Sequence, residues 1–223
     1  MNRKNRPALL LAVCCMCLLL AGCKPSADKI EFSDAASARD ALNNAASIEV
    51  EGNLDAVLQS GNIRADGKVA AFLLEDGFWN SHWTVSVDGD LWFYIKYVTD
   101  EPINNIEGVN TGTTYGYYDG DDNCLGYVQQ RLVDTPDGDR DYYMVFLNAD
   151  GSGKGLYAAR NGQTLYSEDG SVLATGSNHT NFFSNNCQVY VDMEEGCDVQ
   201  VDFMDKMAMY ILQFRKMSER HSS

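Results

Sequence analysis

The residues in this chain that could do chemistry are acidic turns, three scattered histidines and a few cysteines. Residues 119–123 and 134–141 carry enough carboxylates to suggest calcium. Counted from Asp119, however, the glycine position of an EF-hand loop falls on Cys124 and its closing glutamate position on Gln130. Solvated turns are the favoured interpretation, with a weak calcium site of another kind as the alternative. No zinc-site spacing and no hydrolase motif occurs, so we expect no metal, no catalytic residue and no enzyme.

Three cysteines in the later part of the chain could form a disulfide. Cys187 and Cys197 are the nearest pair and the candidate bridge, and Cys124 is the third. If residues 188–193 and 198–203 formed a hairpin, Cys187 and Cys197 would lie too far apart along it to bridge. A bridge to Cys124 and no bridge at all therefore remain alternatives.

The N-terminus has the layout of an export signal. Arg3, Lys4 and Arg6 precede an uncharged stretch at residues 8–20, which is shorter than the roughly 20 residues of a spanning helix. It ends in LAGC at residues 20–23, which resembles the lipobox of bacterial lipoproteins. The resemblance implies cleavage before Cys23 and a diacylglyceryl lipid on its sulfur. It predicts a membrane anchor and a location outside the cytoplasm, at the cell surface or on the periplasmic side. The alternative is an ordinary signal peptide that ends in a chance cysteine.

Composition limits the partners and the number of domains. The net charge is −15, and removal of the basic signal makes it more negative, so nucleic acid is not an expected partner. An apolar fraction of 45% is typical of a folded core. We expect a signal at residues 1–22, a lipidated cysteine and tether at 23–30, and one β-rich domain ending in a helix at 31–220.

The spacing of turn residues predicts the fold class. Asp-Gly or Asn-Gly pairs begin at positions 66, 76, 88, 119, 137, 150, 161 and 169, and such pairs favour hairpins. Before them, Ser33 is the expected N-cap of a short helix, and a longer helix with several methionines follows residue 202. Arg215 and Lys216 suit the negative end of its dipole. The sequence predicts a mainly β domain, an antiparallel curved sheet or half-barrel or barrel, with the C-terminal helix packed on it.

Aromatic strands provide the candidate ligand-binding residues. Residues 91–98 and 142–147 are apolar on both faces, which predicts strands that are buried on both sides. The candidate lining residues of a hydrophobic pocket are Trp79, Trp83, Trp92 and Phe93.

Two family resemblances point in the same direction. A lipobox, a tether, an alanine-rich helix and the strand sequence SIEVEG at residues 47–52 resemble the outer-membrane lipoprotein carrier fold and its lipid-binding relatives. Those proteins are unclosed barrels that hold acyl chains. The sequence GFW at residues 77–79 and a helix after the sheet are similar to lipocalin-like domains, which we keep as the alternative. Both resemblances imply a cavity for a lipid or another hydrophobic small molecule. A surface or envelope interaction protein with a filled core is the competing hypothesis.

Overall fold

A computed structural model describes residues 29–53, 59–76, 82–99, 113–134, 140–181, 186–197 and 199–221. These residues form 12 strands and two helices, α1 Ala35–Asn44 and α2 Phe203–His221. The strands are β1 Ser47–Asn53, β2 Ser60–Ala65, β3 Lys68–Asp76, β4 His82–Val87, β5 Asp90–Thr99, β6 Thr114–Tyr118, β7 Cys124–Asp134, β8 Arg140–Asn148, β9 Gly153–Ala159, β10 Thr164–Ser167, β11 Val172–Thr180 and β12 Asn186–Met193.

The sheet is an antiparallel meander that closes into a barrel. Each strand pairs with the next strand in the chain, and β12 returns to pair with β1 in the register Ser47↔Asp192 to Asn53↔Asn186. The Asp-Gly pairs set the shortest turns: Asp66, Gly67, Asp88 and Gly89 all adopt φ between 48° and 88°. These values suit the tight hairpin turns that join twisted strands. The predicted β fold is therefore confirmed, in its closed form.

The two ends of the barrel differ, and we name them by what they carry. The α1 end holds the β2–β3, β4–β5 and β10–β11 turns, and α1 packs there against β2, β3 and β4. Ala38 and Leu42 are the buried residues of α1. The opposite end, the mouth, holds the β9–β10 turn, and β1 and β7 end there. Lys29, the first described residue, precedes Glu31, whose N–H donates to Val69 O at 2.8 Å. The chain thus enters the domain at the α1 end.

Helix α2 runs inside the barrel. Every side chain from Asp205 to Phe214 is buried, whereas a helix on the outside of a sheet exposes one face. Its contacts reach strands far apart around the barrel: Phe203 stacks on Trp92 of β5 with ring centroids 5.2 Å apart, and Met217 Sδ accepts from Thr180 of β11 at 4.0 Å. A 19-residue helix is about 28 Å long, which is enough to run from the α1 end to the mouth. The predicted helix therefore packs on the concave face of the sheet and fills the lumen.

Two local predictions need correction. The N-cap of α1 is Asp34 and not Ser33, because the Asp34 carboxylate accepts from Ser37 N–H at 2.7 Å. Strand β5 is not buried on both sides, since Leu91 is 43% exposed on its outer face. Strand β8 does have two buried faces. Phe146 packs in the core, and Leu147 is only 1% exposed although it does not belong to that core cluster.

Candidate ligand-binding site

Helix α2 lies off the axis of the barrel, close to the strands near the closure. It lies nearest to β11 and β12. A Cβ atom built on Gly176 would meet Gln213 Nε2 at 2.3 Å, and one built on Gly162 would meet Met209 O at 2.4 Å. Glycine at these positions lets the helix backbone approach the wall more closely than a side chain would permit. The helix therefore fills one side of the lumen more tightly than the other.

A pocket of about 340 Å³ opens at the mouth, on the side of β6 to β9. Its described lining residues are Thr113, Gln130, Met144, Arg160, Asn161, Leu212, Arg215 and Lys216. Gln130 and Met144 are register partners on β7 and β8, and Gln130 N–H donates to Thr113 O at 2.9 Å, so the wall is tied together by the sheet. Met144 and Leu212 provide an apolar surface at 2% and 8% exposure. The pocket thus combines an apolar part with amide and cationic groups.

Two of the cations are positioned by tyrosines. The Arg215 guanidinium donates to the Tyr115 hydroxyl and lies 5.7 Å from the centre of that ring. The Arg160 guanidinium lies 5.7 Å from the centre of the Tyr142 ring. Aromatic rings attract cations without neutralising them. The positive charges of these two arginines therefore remain available at the pocket.

Buried polar contacts hold α2 at the α1 end. Lys154 Nζ donates to both oxygens of Asp205, at 3.0 and 2.9 Å. Lys206 Nζ donates to the carbonyls of Leu42, Asn43 and Ala45 at 3.4, 2.8 and 3.2 Å, and so places a cation at the negative end of α1. Burial raises the pKa of Asp205 to about 6 against the opposing effect of Lys154, and burial lowers the pKa of Lys206 to about 8. These groups anchor the helix and lie at the opposite end from the pocket.

Four buried polar atoms lack a hydrogen-bond partner in the described part of the lumen. They are Trp83 Nε1, Tyr117 Oη, Tyr210 Oη and Gln213 Nε2. Burial raises the pKa of both tyrosines well above its ordinary value. These hydroxyls are consequently neutral and carry a desolvation cost.

The candidate aromatic residues take part in packing around α2. Phe93 is fully buried and lies edge-on to Phe203 at 5.9 Å, and Trp92 stacks on the same ring. Trp83 faces the lumen and lies edge-on to Tyr115 at 6.0 Å. The structure thus brings Trp92 and Phe93 together against the helix, away from the mouth pocket. Trp79 and Cys23 lie outside the described residues, and a ligand contact by any of the four aromatics stays a prediction.

The three described cysteines have free thiols. Cys187 lies near the start of β12, on the mouth side, and faces the lumen. Cys197 lies after the end of that strand, at the α1 end. The strand β12 between them spans on the order of 20 Å, too far for a bridge. Residues 188–193 do not form the conditional hairpin, because β12 pairs with β1 and β11. The candidate Cys187–Cys197 disulfide is therefore absent from this structure.

The acidic segment at residues 119–123 forms a turn that uses its own carboxylate. Asp119 Oδ1 accepts from the N–H groups of Asp121 and Asn123, both at 2.9 Å. Asn123 Nδ2 also donates to Asp119 Oδ2 at 2.9 Å, and this side-chain bond, followed by the backbone bonds, lowers the pKa of Asp119. Among the residues that the structure describes, no group of histidine, cysteine and acidic side chains is arranged to hold a metal ion.

The residues of the mouth pocket are not found by motif analysis. From the sequence, Arg215 and Lys216 are expected only to complement the dipole of their helix. Arg160 lies in no motif, and it meets Arg215 only because β9 and the end of α2 converge at the mouth. The available signal is the inward alternation of Leu156 and Ala158 along β9, which predicts a cation on the inner side if it is continued to Arg160, just after the strand.

Comparisons with known proteins identify no relative. No family model matches the chain, and neither the curated proteins nor the solved structures contain a match. None of the described helices has the length and apolar character needed to cross a membrane.

Proposed function

We propose that this protein is a non-enzymatic, lipid-anchored binding protein outside the cytoplasm, and that it binds a small amphipathic molecule in the mouth pocket. The observation that carries the proposal is the pocket itself, about 340 Å³ of space beside helix α2. Concave sites with an apolar surface and a few polar groups are the usual form of small-molecule sites.

The apolar part of the ligand would rest on Met144 and Leu212. The side chain of Leu212 is held by the packed helix, and Met144 is held by the β7–β8 pairing, so both are preorganised. Little ordering is then required on binding, which favours affinity. This arrangement supports the hydrophobic ligand expected from the sequence. The proposed binding site lies at the mouth, whereas Trp92 and Phe93 pack against α2 away from it.

The proposed anchor and the pocket belong to opposite ends of the barrel. The chain enters at the α1 end, and the six steps along the backbone from Cys23 to Lys29 span at most about 20 Å. The pocket opens at the mouth, about one helix length away. The ligand could therefore enter from the aqueous side while the α1 end stays near the membrane.

A titration with octanoate tests the proposal. The full chain in phosphatidylcholine nanodiscs is titrated by calorimetry, with empty nanodiscs as the blank. We expect saturable binding of octanoate at one site, with acetate at least tenfold weaker because it lacks the chain that Met144 and Leu212 would contact. Thr113→Trp fills the pocket and should weaken octanoate binding at least tenfold, whereas Thr175→Trp, exposed on β11, should not. Equal binding of acetate and octanoate would refute the amphipathic ligand, and so would the absence of saturable binding by octanoate, octyl phosphate and 1-octanol alike.

The filled lumen favours a second candidate function, a surface or envelope interaction protein without a ligand. Helix α2 occupies the space in which an acyl chain would lie in a hollow barrel. This function predicts no saturable octanoate binding and a crosslinked envelope partner. It also predicts that the partner is lost on substitution of an exposed apolar residue such as Leu91, which is 43% exposed.

A further inference from the structure

The mouth pocket has an unusual charge for this chain. The protein is strongly acidic, with a net charge of −15. Yet Arg160, Arg215 and Lys216 all line one pocket, and none of its described lining residues carries a carboxylate. We propose that the mouth pocket binds the anionic group, a carboxylate or a phosphate, of its ligand through the two arginines, Arg160 and Arg215. This inference rests on the proposed function, because it names the polar end of the same ligand.

The two arginines come from different elements, and this convergence is the main support. Arg215 belongs to the last turns of α2, and Arg160 follows β9. The helix dipole accounts for cations on α2 alone. It does not account for Arg160, which reaches the same pocket from the end of β9. Two guanidinium groups can donate charge-assisted hydrogen bonds to the oxygens of one carboxylate or phosphate.

The tyrosine partners prepare the arginines for such an anion. Tyr115 receives a hydrogen bond from Arg215 and fixes the guanidinium, while its ring and that of Tyr142 lie near the two arginines. An arginine that is held before binding loses less conformational freedom when the anion arrives. Polar groups from Gln130 and Asn161 complete the rim and can donate to an anionic oxygen.

The test compares ligands that differ in charge. Octanoate, octyl phosphate, 1-octanol and inorganic phosphate are each titrated into the full chain in phosphatidylcholine nanodiscs at low and high salt. We expect octanoate or octyl phosphate to bind at least tenfold more tightly than octanol, and this advantage to shrink with salt because screening weakens exposed charge pairs. The better of the two anions identifies the headgroup.

Charge variants assign the effect to the pocket. Arg160→Gln and Arg215→Gln should each weaken binding of the preferred anion about tenfold, the size expected for one charge-assisted bond, and leave octanol binding unchanged. Lys68→Gln, an exposed cation at the α1 end, is the matched control and should change neither. Retained melting temperatures of the variants would show that the barrel is intact.

Each result decides between the two proposals. Equal binding of octanol and octanoate, unaffected by the arginine variants, overturns the anionic inference and leaves the amphipathic function standing. Inorganic phosphate that binds as tightly as octyl phosphate, and is lost in the variants, supports the inference but overturns the amphipathic function. Binding by none of the four probes overturns both.

Discussion

Asp205 is the residue whose burial has the clearest consequence for stability. It is 1% exposed, and its pKa in the fold is about 6 although an ordinary aspartate has 3.8. Between these values Asp205 is more protonated in the folded chain than in the unfolded chain, so its contribution to stability falls as the pH rises from about 4 to about 6. Lys154 limits this loss, because its ammonium group faces the carboxylate at 2.9 Å.

We therefore expect Asp205→Asn to remove this pH dependence. The amide of asparagine does not titrate. The free energy of unfolding of the variant, relative to that of the wild type, should therefore rise from pH 4 to pH 6. Urea unfolding at pH 4, 5 and 6 measures it. Asp88→Asn, in an exposed turn, is the control. Parallel stability profiles for wild type and Asp205→Asn would contradict the expectation.

Tyr210 gives a second prediction at the residue scale. Its hydroxyl is buried and has no partner among the described residues, so removing the oxygen removes a desolvation cost and breaks no hydrogen bond. Tyr210→Phe should leave the free energy of unfolding unchanged or raise it by about 1 kcal/mol. Tyr190→Phe is the comparison, since Tyr190 donates to Gln188 Oε1 at 3.2 Å and its loss should not stabilise. Destabilisation by Tyr210→Phe, measured by urea unfolding, would count against this account.

At the scale of elements, the sequence predicts the strands and the helices better than their arrangement. Asp-Gly pairs indicate the hairpins, because tight hairpin turns need positive φ at two adjacent residues and these residue types adopt it readily. Trp83, Val85 and Val87 alternate along β4, and all three are buried on its inner face. The position of α2 has no such local cause: Asp205 and Lys206 are polar in sequence yet 1% and 2% exposed, because partners from β9 and α1 satisfy them. Sequence patterns show which residues are polar, and they do not show which distant groups will pair with them.

The close approach of α2 to the wall leads to a prediction for Gly176. A Cβ at this position would lie 2.4 Å from Gly162 O and 2.3 Å from Gln213 Nε2, and the backbone oxygen cannot move without shifting the β9–β10 turn. Gly176→Ala should lower the free energy of unfolding by about 1–3 kcal/mol through overpacking. Gly120→Ala is the matched control, since its nearest neighbour would be Leu91 Cδ2 at 3.7 Å. A Gly176→Ala variant as stable as the wild type in urea would show that the helix does not press on β11.

At the scale of the whole molecule, closure explains why the candidate site differs from the expected one. A curved open sheet would leave its aromatic face for a ligand, as the resemblance to the carrier family implies. Pairing of β1 with β12 instead forms a lumen, and α2 enters it and packs on Trp92 and Phe93. Closure depends on long-range pairing between the first and last strands. The sequence pattern of a strand does not show which distant strand it pairs with. The pocket that the described residues form lies at the mouth, the opposite end of the barrel from the entry of the chain.

The proposed attachment to a membrane is also a property of the whole molecule, and Cys23 tests it. If the lipobox is processed, cells fed with labelled palmitate should yield a labelled protein in the membrane fraction, because two or three acyl chains hold a protein stably and one does not. Cys23→Ser should abolish the label and release the chain from that fraction or leave it unprocessed with its signal attached. Cys124→Ser, within the barrel on β7, should keep both the label and the location. A chain that is processed, unlabelled and free of the membrane would instead identify residues 1–22 as an ordinary signal, and the mouth pocket would then belong to a protein with no tether at its α1 end.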